Sequence, residues 1–148
     1  EWVNSAYQDY SSRLPRQWRL QLHEVASAKR VAAKRAKQQD NSRLIEDEGE
    51  RILALMPAPI LGIALAVEGR HWSTEQLAKQ LNRWLQQGRD LAFVIGGADG
   101  LDNAVLNRCE AHWSLSQLVF PHALVRVLVA EQLYRAWSIL HNHPYHRA

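Results

Sequence analysis

The sequence predicts an α/β fold in which a parallel sheet is flanked by helices. Apolar runs of strand length, such as residues 60–67 and 91–95, alternate along the chain with segments whose apolar residues recur at helical spacing. Continuous apolar runs are typical of strands that helices cover on both faces, and their alternation with helices favours a parallel sheet. The 148 residues suffice for one domain with a hydrophobic core, and no repeat or long linker divides them, so we predict a single domain over 1–148.

Four elements are predicted in the N-terminal half. Pro15 and Pro57 each end a helical pattern, and Gly69 is expected to turn the chain after a buried strand. Apolar and polar residues alternate over 18–23, which indicates a half-buried strand. In chain order, the elements are a helix over 3–14, the strand over 18–23, a helix in the second part of 28–56 and a strand over 60–67.

The C-terminal half continues the alternation. Ser73 and Gln76 have the spacing of a capping box at the start of a helix, and Gly88 is placed to end that helix. Asp102 is expected to cap a further helix that extends to Trp113. The remaining predicted elements are strands over 91–95 and 115–120 and, after Pro121, a helix over 122–140.

The last helix has almost no polar face in its first half. Over 124–130, Arg126 is the one charged residue among apolar ones. A helix that is apolar all round must be buried on several sides. This helix is therefore expected either to thread through the fold or to seal a subunit interface.

Composition sets broad limits on function. The net charge of +3 and the pI near 9.3 permit nucleic-acid binding without establishing it. The single Cys109 excludes an internal disulfide and is predicted to be a small core residue. The longest apolar run is too short to span a membrane and no signal peptide pattern precedes it, so we expect a cytoplasmic protein.

A basic segment lies between the predicted elements of the N-terminal half. Its cations fall within nine residues without an acid among them: Lys29, Arg30, Lys34, Arg35 and Lys37. Such a cluster is either a solvated helix face or loop, or a patch that contacts phosphates and displaces their counterions. The sequence leaves both interpretations open.

Ligands of open parallel sheets bind beyond the carboxyl ends of the strands. Three predicted ends fall at 65–68, 95–100 and 118–122. The glycines of 96–100 allow a ligand to approach the backbone closely. Their spacing matches neither a Rossmann motif nor a P-loop, so nicotinamide or nucleoside triphosphate binding is not expected, and a turn without any ligand is the alternative.

The C-terminal tail, residues 141–147, holds three of the seven histidines. Imidazoles bind transition metals, but no carboxylate or cysteine stands nearby, and we predict no metal site. The tail is either a frayed, solvated end or a surface that stacks on a base and contacts phosphate.

Four stretches of the chain resemble one known family: 91–101 (LAFVIGGADGL), 113–116 (WSLS), 121–137 (PHALVRVLVAEQLYRAW) and 142–147 (NHPYHR). The resemblance is to the bacterial ribosomal RNA large subunit methyltransferase H family (RlmH, or YbeA), which is of the SPOUT class. It extends over nearly the whole chain and is most specific from Gly96 onward. The family usually begins with a strand and a short glycine-containing turn, which we expect to be missing here. Ala98 and Ala123 occupy places where proline is common in the family, and 67–69 replaces a more usual Asp-containing turn.

The resemblance implies a fold and a reaction. The C-terminal part of the parallel sheet would form a deep trefoil knot, an exception to the rule against threaded chains. The enzyme would be a homodimer with active sites near the subunit interface. It would use S-adenosylmethionine to methylate N3 of a pseudouridine in the helix 69 loop of 23S rRNA, in the assembled ribosome.

Site residues follow from the same resemblance. The cofactor pocket would be formed by Leu65, Gly96, Leu115, Ser116, Gln117, Leu118, Val119 and Phe120. The target base would be held by the catalytic candidates His122, Arg126, Tyr145, His146 and Arg147. The cofactor positions agree with the predicted strand ends, where backbone groups can bind adenine while apolar side chains enclose its ring.

Methyl transfer from a sulfonium requires in-line attack by a nucleophile close to the methyl carbon. The imide N3 must also lose its proton, so a cation such as Arg126 or His146 would stabilise the developing anion, and a histidine would act as base or proton relay. The alternative is a non-catalytic ribosome- or RNA-binding module that keeps the knotted fold. A third hypothesis is a nucleotide-binding metabolic enzyme with no affinity for ribosomes.

Overall fold

A computed structural model describes residues 1–25, 38–96 and 100–147, with 38–42 described by their backbone alone. Within these ranges the chain forms helices α1 (Trp2–Arg13), α2 (Gln38–Ala54), α3 (Thr74–Leu85), α4 (Asn103–Arg108) and α5 (His122–Leu140). The strands are β1 (Leu61–His71), β2 (Leu91–Ile95) and β3 (Ala111–Ser114), and a short 3-10 helix spans Arg16–Trp18. The basic segment from Lys29 to Lys37 and the centre of the glycine-rich turn, 97–99, lie outside the described residues.

The three strands form a parallel sheet in the order β2-β1-β3. In β1, Leu61 lies opposite Leu91 of β2, and Ile63 lies opposite Ala111 of β3. The longest apolar run of the sequence is therefore the central strand, with a neighbour on each side. The predicted α/β class, a parallel sheet flanked by helices, is confirmed; the trefoil knot stays a prediction.

Each face of the sheet is covered by its own pair of helices because side chains alternate along β1. Ile63 points into a core shared with α3 and α5, whereas Ala64 points into one shared with α2 and α4. The first core consists of Leu61, Ile63, Leu77, Ala78, Leu81, Trp84, Trp113, Val129, Leu133 and Ala136. The second consists of Ile52, Met56, Ala64, Val94, Val105 and Cys109, which confirms the prediction for the cysteine.

The start and end of α3 follow the sequence prediction. Ser73 Oγ accepts a hydrogen bond from the Gln76 N–H at 3.1 Å, and Gln76 Oε1 accepts one from the Ser73 N–H at 2.9 Å, so the capping box is confirmed. Gly88 adopts a φ of +68° just after the helix, a conformation that glycine reaches without strain. The buried face of α3 points toward α5, with Leu81 at its centre.

Helix α5 packs against α1, α3 and β2. Ala130 and Ala136 are fully buried, and small side chains at these positions let the neighbouring elements approach closely. The expectation that this helix is buried on several sides is confirmed. Within the described residues, no helix combines the length and the apolar character that crossing a membrane requires.

Two strand predictions are wrong. Residues 19–25 follow the short 3-10 helix as irregular chain, because no described strand pairs with them, although Trp18 and Leu20 still pack against the core.

The third strand is Ala111–Ser114 rather than 115–120, and Trp113 belongs to it instead of to the preceding helix. After it, Ser114 Oγ donates to the Ser116 carbonyl and Ser116 Oγ accepts from the Leu118 N–H, both at 3.0 Å. Such local bonds compete with strand pairing.

Gly69 does not turn the chain as expected, because β1 continues to His71. The register between β1 and β3 shifts, so that Leu65 and Arg70 both lie opposite Trp113. At this crowded point, a Cβ on Gly69 would lie 2.6 Å from the backbone carbon of His112. A glycine is therefore needed to let the two strands approach.

The opposite end of the sheet is held by a charged cluster around Glu110. Its carboxylate accepts hydrogen bonds from the Gly62 N–H at 2.7 Å and from Arg89 Nη2 at 2.8 Å. Arg108 lies beside the carboxylate and also donates to three backbone carbonyls, those of Met56, Pro57 and Ile60. The cluster joins the loop before β1 to the starts of β2 and β3.

We expect Gly69→Ala to lower the free energy of unfolding by at least about 2 kcal/mol, because the methyl group would press on strand backbone that cannot move aside. Urea unfolding followed by circular dichroism measures the change. Gly88→Ala is the matched control: a Cβ there meets no atom within 4 Å, and its positive φ alone costs about 1 kcal/mol. Equal losses for the two variants would contradict a close approach at Gly69.

We expect Glu110 to make stability depend on pH. Partial burial alone would raise the pKa of Glu110, but the hydrogen bonds from Arg89 and Gly62 and the charge of Arg108 lower it overall from 4.5. A lowered folded-state pKa stabilises the fold above the unfolded-state pKa and loses this effect as pH falls through the folded-state value. Glu110→Gln should therefore destabilise the protein at pH 7, and the difference should shrink below about pH 4.5. Glu50→Gln in α2, where the side chain is exposed, should show no such trend.

Candidate functional site

The carboxyl ends of the three strands meet at one edge of the sheet. Leu65 of β1 lies between Ile95 at the end of β2 and Trp113 near the end of β3. Gly96 follows β2 directly, and Leu115 follows β3. The structure therefore brings Leu65, Gly96 and Leu115 to the same edge, as the sequence prediction required.

The backbone is packed tightly at Gly96. A Cβ on this residue would lie 3.0 Å from the Gly100 carbonyl carbon and 3.0 Å from Leu101 Cγ, because the chain folds back toward β2. Gly100 itself has a φ of +84°. Glycine at Gly96 thus allows a close approach of the chain to itself, whereas Gly100 is exposed and has no atom near a would-be Cβ.

The loop 115–120 is irregular and only partly packed. Leu115 contacts the core, whereas the side chains of Leu118 and Val119 are 68% and 82% exposed. Ser116, Gln117 and Phe120 belong to the same loop. Leu65 and Leu115 thus pack against the core, whereas Leu118 and Val119 present apolar surface to solvent.

A cleft of about 950 Å³ runs along β2 and reaches the same edge. Gly96, His122 and Arg126 all line it, so the structure brings the first two catalytic candidates and the residue after β2 to one cleft. The Arg126 side chain is 17% exposed, and its Nη1 donates to Glu24 Oε1 at 3.1 Å. The Arg126 cation thus lines the cleft with an exposed carboxylate as its partner.

The other catalytic candidates lie toward the opposite end of α5. Tyr145 and His146 fold back along this helix, where Tyr145 Oη donates to Glu131 Oε1 at 3.1 Å. Arg147 follows them and is exposed. Arg126 and Arg135, which contacts His146, are nine positions apart on α5, roughly 13 Å along its axis. One chain therefore separates the candidates into two groups.

The tail is bound to the helix instead of being frayed. Tyr145 lies against Tyr134 with ring centres 4.6 Å apart, and Trp137 stacks on Tyr134 with an angle of 15° between the rings. His143 packs on Trp137 at 5.4 Å. Among the described residues, no group of three histidine, cysteine or carboxylate side chains is placed to hold a metal ion.

His146 is held from both ring nitrogens. Arg135 Nη1 lies 3.3 Å from Nδ1, and Glu75 Oε1 lies 3.1 Å from Nε2. A guanidinium can only donate and a carboxylate can only accept, so Nδ1 carries the lone pair and Nε2 carries the proton. A proton added at Nδ1 would face Arg135, which makes His146 a poor general base in this arrangement.

Tyr145 stays protonated at neutral pH. Burial, the negative charge of Glu131 and a hydrogen bond with Tyr10 raise the pKa of Tyr145 to about 12. The guanidinium of Arg135 lies 4.8 Å from the centre of its ring. Tyr145 is therefore a hydrogen-bond donor that a neighbouring cation covers on one face.

Three functional candidates were not predicted from the sequence: Glu75, Glu131 and Arg135. A signal for two of them was present, because Glu131 and Arg135 are an i,i+4 pair of opposite charge in a mostly apolar helix. Glu75 gave no signal, since an acidic residue in the first turn of a helix is common. The hydrogen bond from His146, after one that its own backbone makes, is among the causes that lower the pKa of Glu75.

The chain is similar to known proteins over almost its whole length. A family model described as "Predicted SPOUT methyltransferase" matches residues 1–146. A protein of Methylococcus capsulatus named ribosomal RNA large subunit methyltransferase H is 50% identical over 146 residues, which cover 99% of this chain and 91% of the relative. Proteins of the same name from Chromohalobacter salexigens and Thioalkalivibrio sulfidiphilus are each 49% identical, over 99% of this chain and 92% and 90% of their own lengths.

We expect His146 to carry its ring proton on Nε2 and not on Nδ1, because Nδ1 faces Arg135 and Nε2 faces Glu75. Nitrogen NMR of uniformly labelled protein distinguishes a protonated from an unprotonated ring nitrogen. The exposed His122 is the control and should show the averaged signals of exchanging tautomers. A protonated Nδ1 on His146 would contradict the bond from Arg135.

Proposed function

We propose that this chain, which belongs to the SPOUT methyltransferase family, transfers methyl groups from S-adenosylmethionine to the ribosomal RNA of the large subunit. The observation that carries the proposal is the meeting of Leu65, Gly96 and Leu115 at the carboxyl edge of the parallel sheet, next to a cleft lined by Arg126. The names of relatives about half identical to this chain support the choice of reaction and substrate.

The residues at the strand ends fit this cofactor. A Cβ on Gly96 would press on Gly100 and Leu101, so glycine lets the turn after β2 pack closely against the end of the strand. Leu65 and Leu115 offer apolar contacts, and the irregular loop 115–120 leaves backbone N–H and C=O groups outside any strand. When bound, S-adenosylmethionine supplies an electrophilic methyl group.

The finer substrate that we propose is N3 of a pseudouridine in the helix 69 loop of 23S rRNA, in the assembled ribosome. An imide nitrogen attacks more readily as its anion, so a cation near N3 assists the loss of its proton. Arg126 in the cleft can supply that charge once Glu24 is displaced, and His122 beside it can accept the proton. Tyr145 donates a hydrogen bond, and the exposed Arg147 offers a second cation for phosphate.

We further propose that the active enzyme is a homodimer that works in the cytoplasm. Arg126 and Arg135, which contacts the tail residue His146, are roughly 13 Å apart along α5 within one chain, so a single copy does not present both groups to one base. A second copy can bring its tail to the cleft of the first. The exposed Leu118 and Val119 are apolar surface of the kind that a partner covers.

The second candidate function is a ribosome- or RNA-binding module without catalysis. It is favoured by the exposure of Leu118 and Val119, which do not enclose a ligand in the single chain. Calorimetry with S-adenosylmethionine separates the two functions. Binding supports the enzyme, and its absence in a folded dimer supports the module.

We expect the protein to transfer labelled methyl groups to ribosomes that lack the modification, with mass spectrometry locating the product in the helix 69 loop. Arg126→Ala should lower the rate by about 100-fold if it stabilises the developing anion, and its S-adenosylmethionine affinity should stay unchanged. Arg83→Ala, in the last turn of α3, is the control and should keep full activity. An unchanged rate for Arg126→Ala would remove this residue from the mechanism.

A further inference from the structure

One partly buried carboxylate organises the tail side of the candidate site. The Glu131 side chain is 14% exposed and lies in the middle of α5. Its Oε1 accepts from Arg135 Nε at 2.8 Å, from Arg135 Nη2 at 2.6 Å and from Tyr145 Oη at 3.1 Å. Its Oε2 accepts from Gln132 Nε2 at 2.9 Å. Both oxygens are therefore occupied, and all of these partners are donors.

Glu131 orients Arg135 so that its guanidinium also contacts His146 and the ring of Tyr145. With Nε and Nη2 bound to the carboxylate, Nη1 points to His146 Nδ1 at 3.3 Å. The same guanidinium lies 4.8 Å from the centre of the Tyr145 ring. Glu131 thus acts on His146 through Arg135, and on Tyr145 both directly and through Arg135.

The cluster is also attached to the turn that follows β1. Gln132 Oε1 accepts from Thr74 Oγ1 at 3.0 Å, and His146 Nε2 donates to Glu75 Oε1 at 3.1 Å. Thr74 and Glu75 begin α3, three and four positions after the last residue of β1. These two bonds attach the C-terminal tail and α5 to the start of α3, which follows β1, the strand that carries Leu65.

We propose that Glu131 is a positioning residue for methyl transfer, whose carboxylate orients Arg135, Tyr145 and, through Arg135, His146. The proposal rests on the methyltransferase function proposed above. The Glu131 side chain is only 14% exposed and each of its oxygens already accepts a hydrogen bond, so its effect on the reaction passes through the groups that it holds. A charge-assisted pair with both members mostly buried fixes geometry more firmly than an exposed i,i+4 pair does. Small misplacements of active-site groups are costly, since about 1 Å can reduce a rate about 100-fold.

The test measures methyl transfer to ribosomes by Glu131→Gln at saturating and limiting S-adenosylmethionine. We expect kcat to fall about 10- to 100-fold while the KM for S-adenosylmethionine changes less than about threefold, because the cofactor residues lie elsewhere. Arg135→Lys should give a similar loss, since lysine keeps the charge but cannot bind both partners at once. Combined in one chain, the two changes should cost no more than the larger single loss.

A spectroscopic readout separates positioning from a merely structural role. Carbon NMR of tyrosine labelled at Cζ reports each phenol, and Tyr145→Phe assigns its signal. Glu131→Gln should lower the pKa of Tyr145 below about 12, because the carboxylate is one cause of the increase. Glu50→Gln, which removes an exposed carboxylate of α2, should leave both kcat and this pKa unchanged. If Glu131→Gln does not fold, Glu131→Asp keeps the charge but shortens its reach, and the same fall in kcat is expected.

Three results would overturn the inference. The first is an unchanged kcat in folded Glu131→Gln. The second is a loss of activity in Glu131→Gln that is fully explained by a smaller folded fraction. The third is a double variant in which the losses of kcat from Glu131→Gln and Arg135→Lys are fully additive. A wild-type protein that binds ribosomes and S-adenosylmethionine without methyl transfer would instead count against the proposed function, which keeps the two failures distinguishable.

Discussion

The structure depends on the burial of β1 between two layers of helices. A strand with neighbours on both edges and cores on both faces has no freedom to slip, because a shift by one residue would exchange Ile63 and Ala64 between the two cores. The Glu110 cluster holds the start of this strand, and the crowded contact at Gly69 holds its far part against β3. The position of Leu65, and with it the candidate cofactor edge, follows from that constraint.

Helix starts and ends that depend on interactions between residues close in sequence were predictable from the sequence. The capping box at Ser73, the end of α3 before Gly88 and the bounds of α5 all follow from side-chain chemistry within a few residues. The strand predicted over 18–23 failed because alternation describes a strand only where a neighbour pairs with it. The predicted strand over 115–120 failed because Ser114 and Ser116 bond locally.

The candidate site was predictable in its residues more than in its arrangement. Resemblance supplied the cofactor positions and five catalytic candidates, and the structure brings His122 and Arg126 to the cleft beside Gly96. The structure separates His122 and Arg126 from Tyr145 and His146. This separation depends on how the tail folds back along α5, and the sequence does not show it. The hydrogen bonds of Glu131 join positions 4 and 14 residues apart, and the second separation has no sequence signature.

The central claim is that S-adenosylmethionine binds at the carboxyl ends of the three strands. Titration of isotope-labelled protein with S-adenosylmethionine, followed through its backbone amide signals, tests that placement residue by residue. Binding there predicts saturable shifts that concentrate on Leu65, Gly96 and the loop 115–120, with the amides near Glu110 at the opposite end unchanged. Saturable shifts confined to other surfaces, or no shifts in a folded dimer, would contradict the claim.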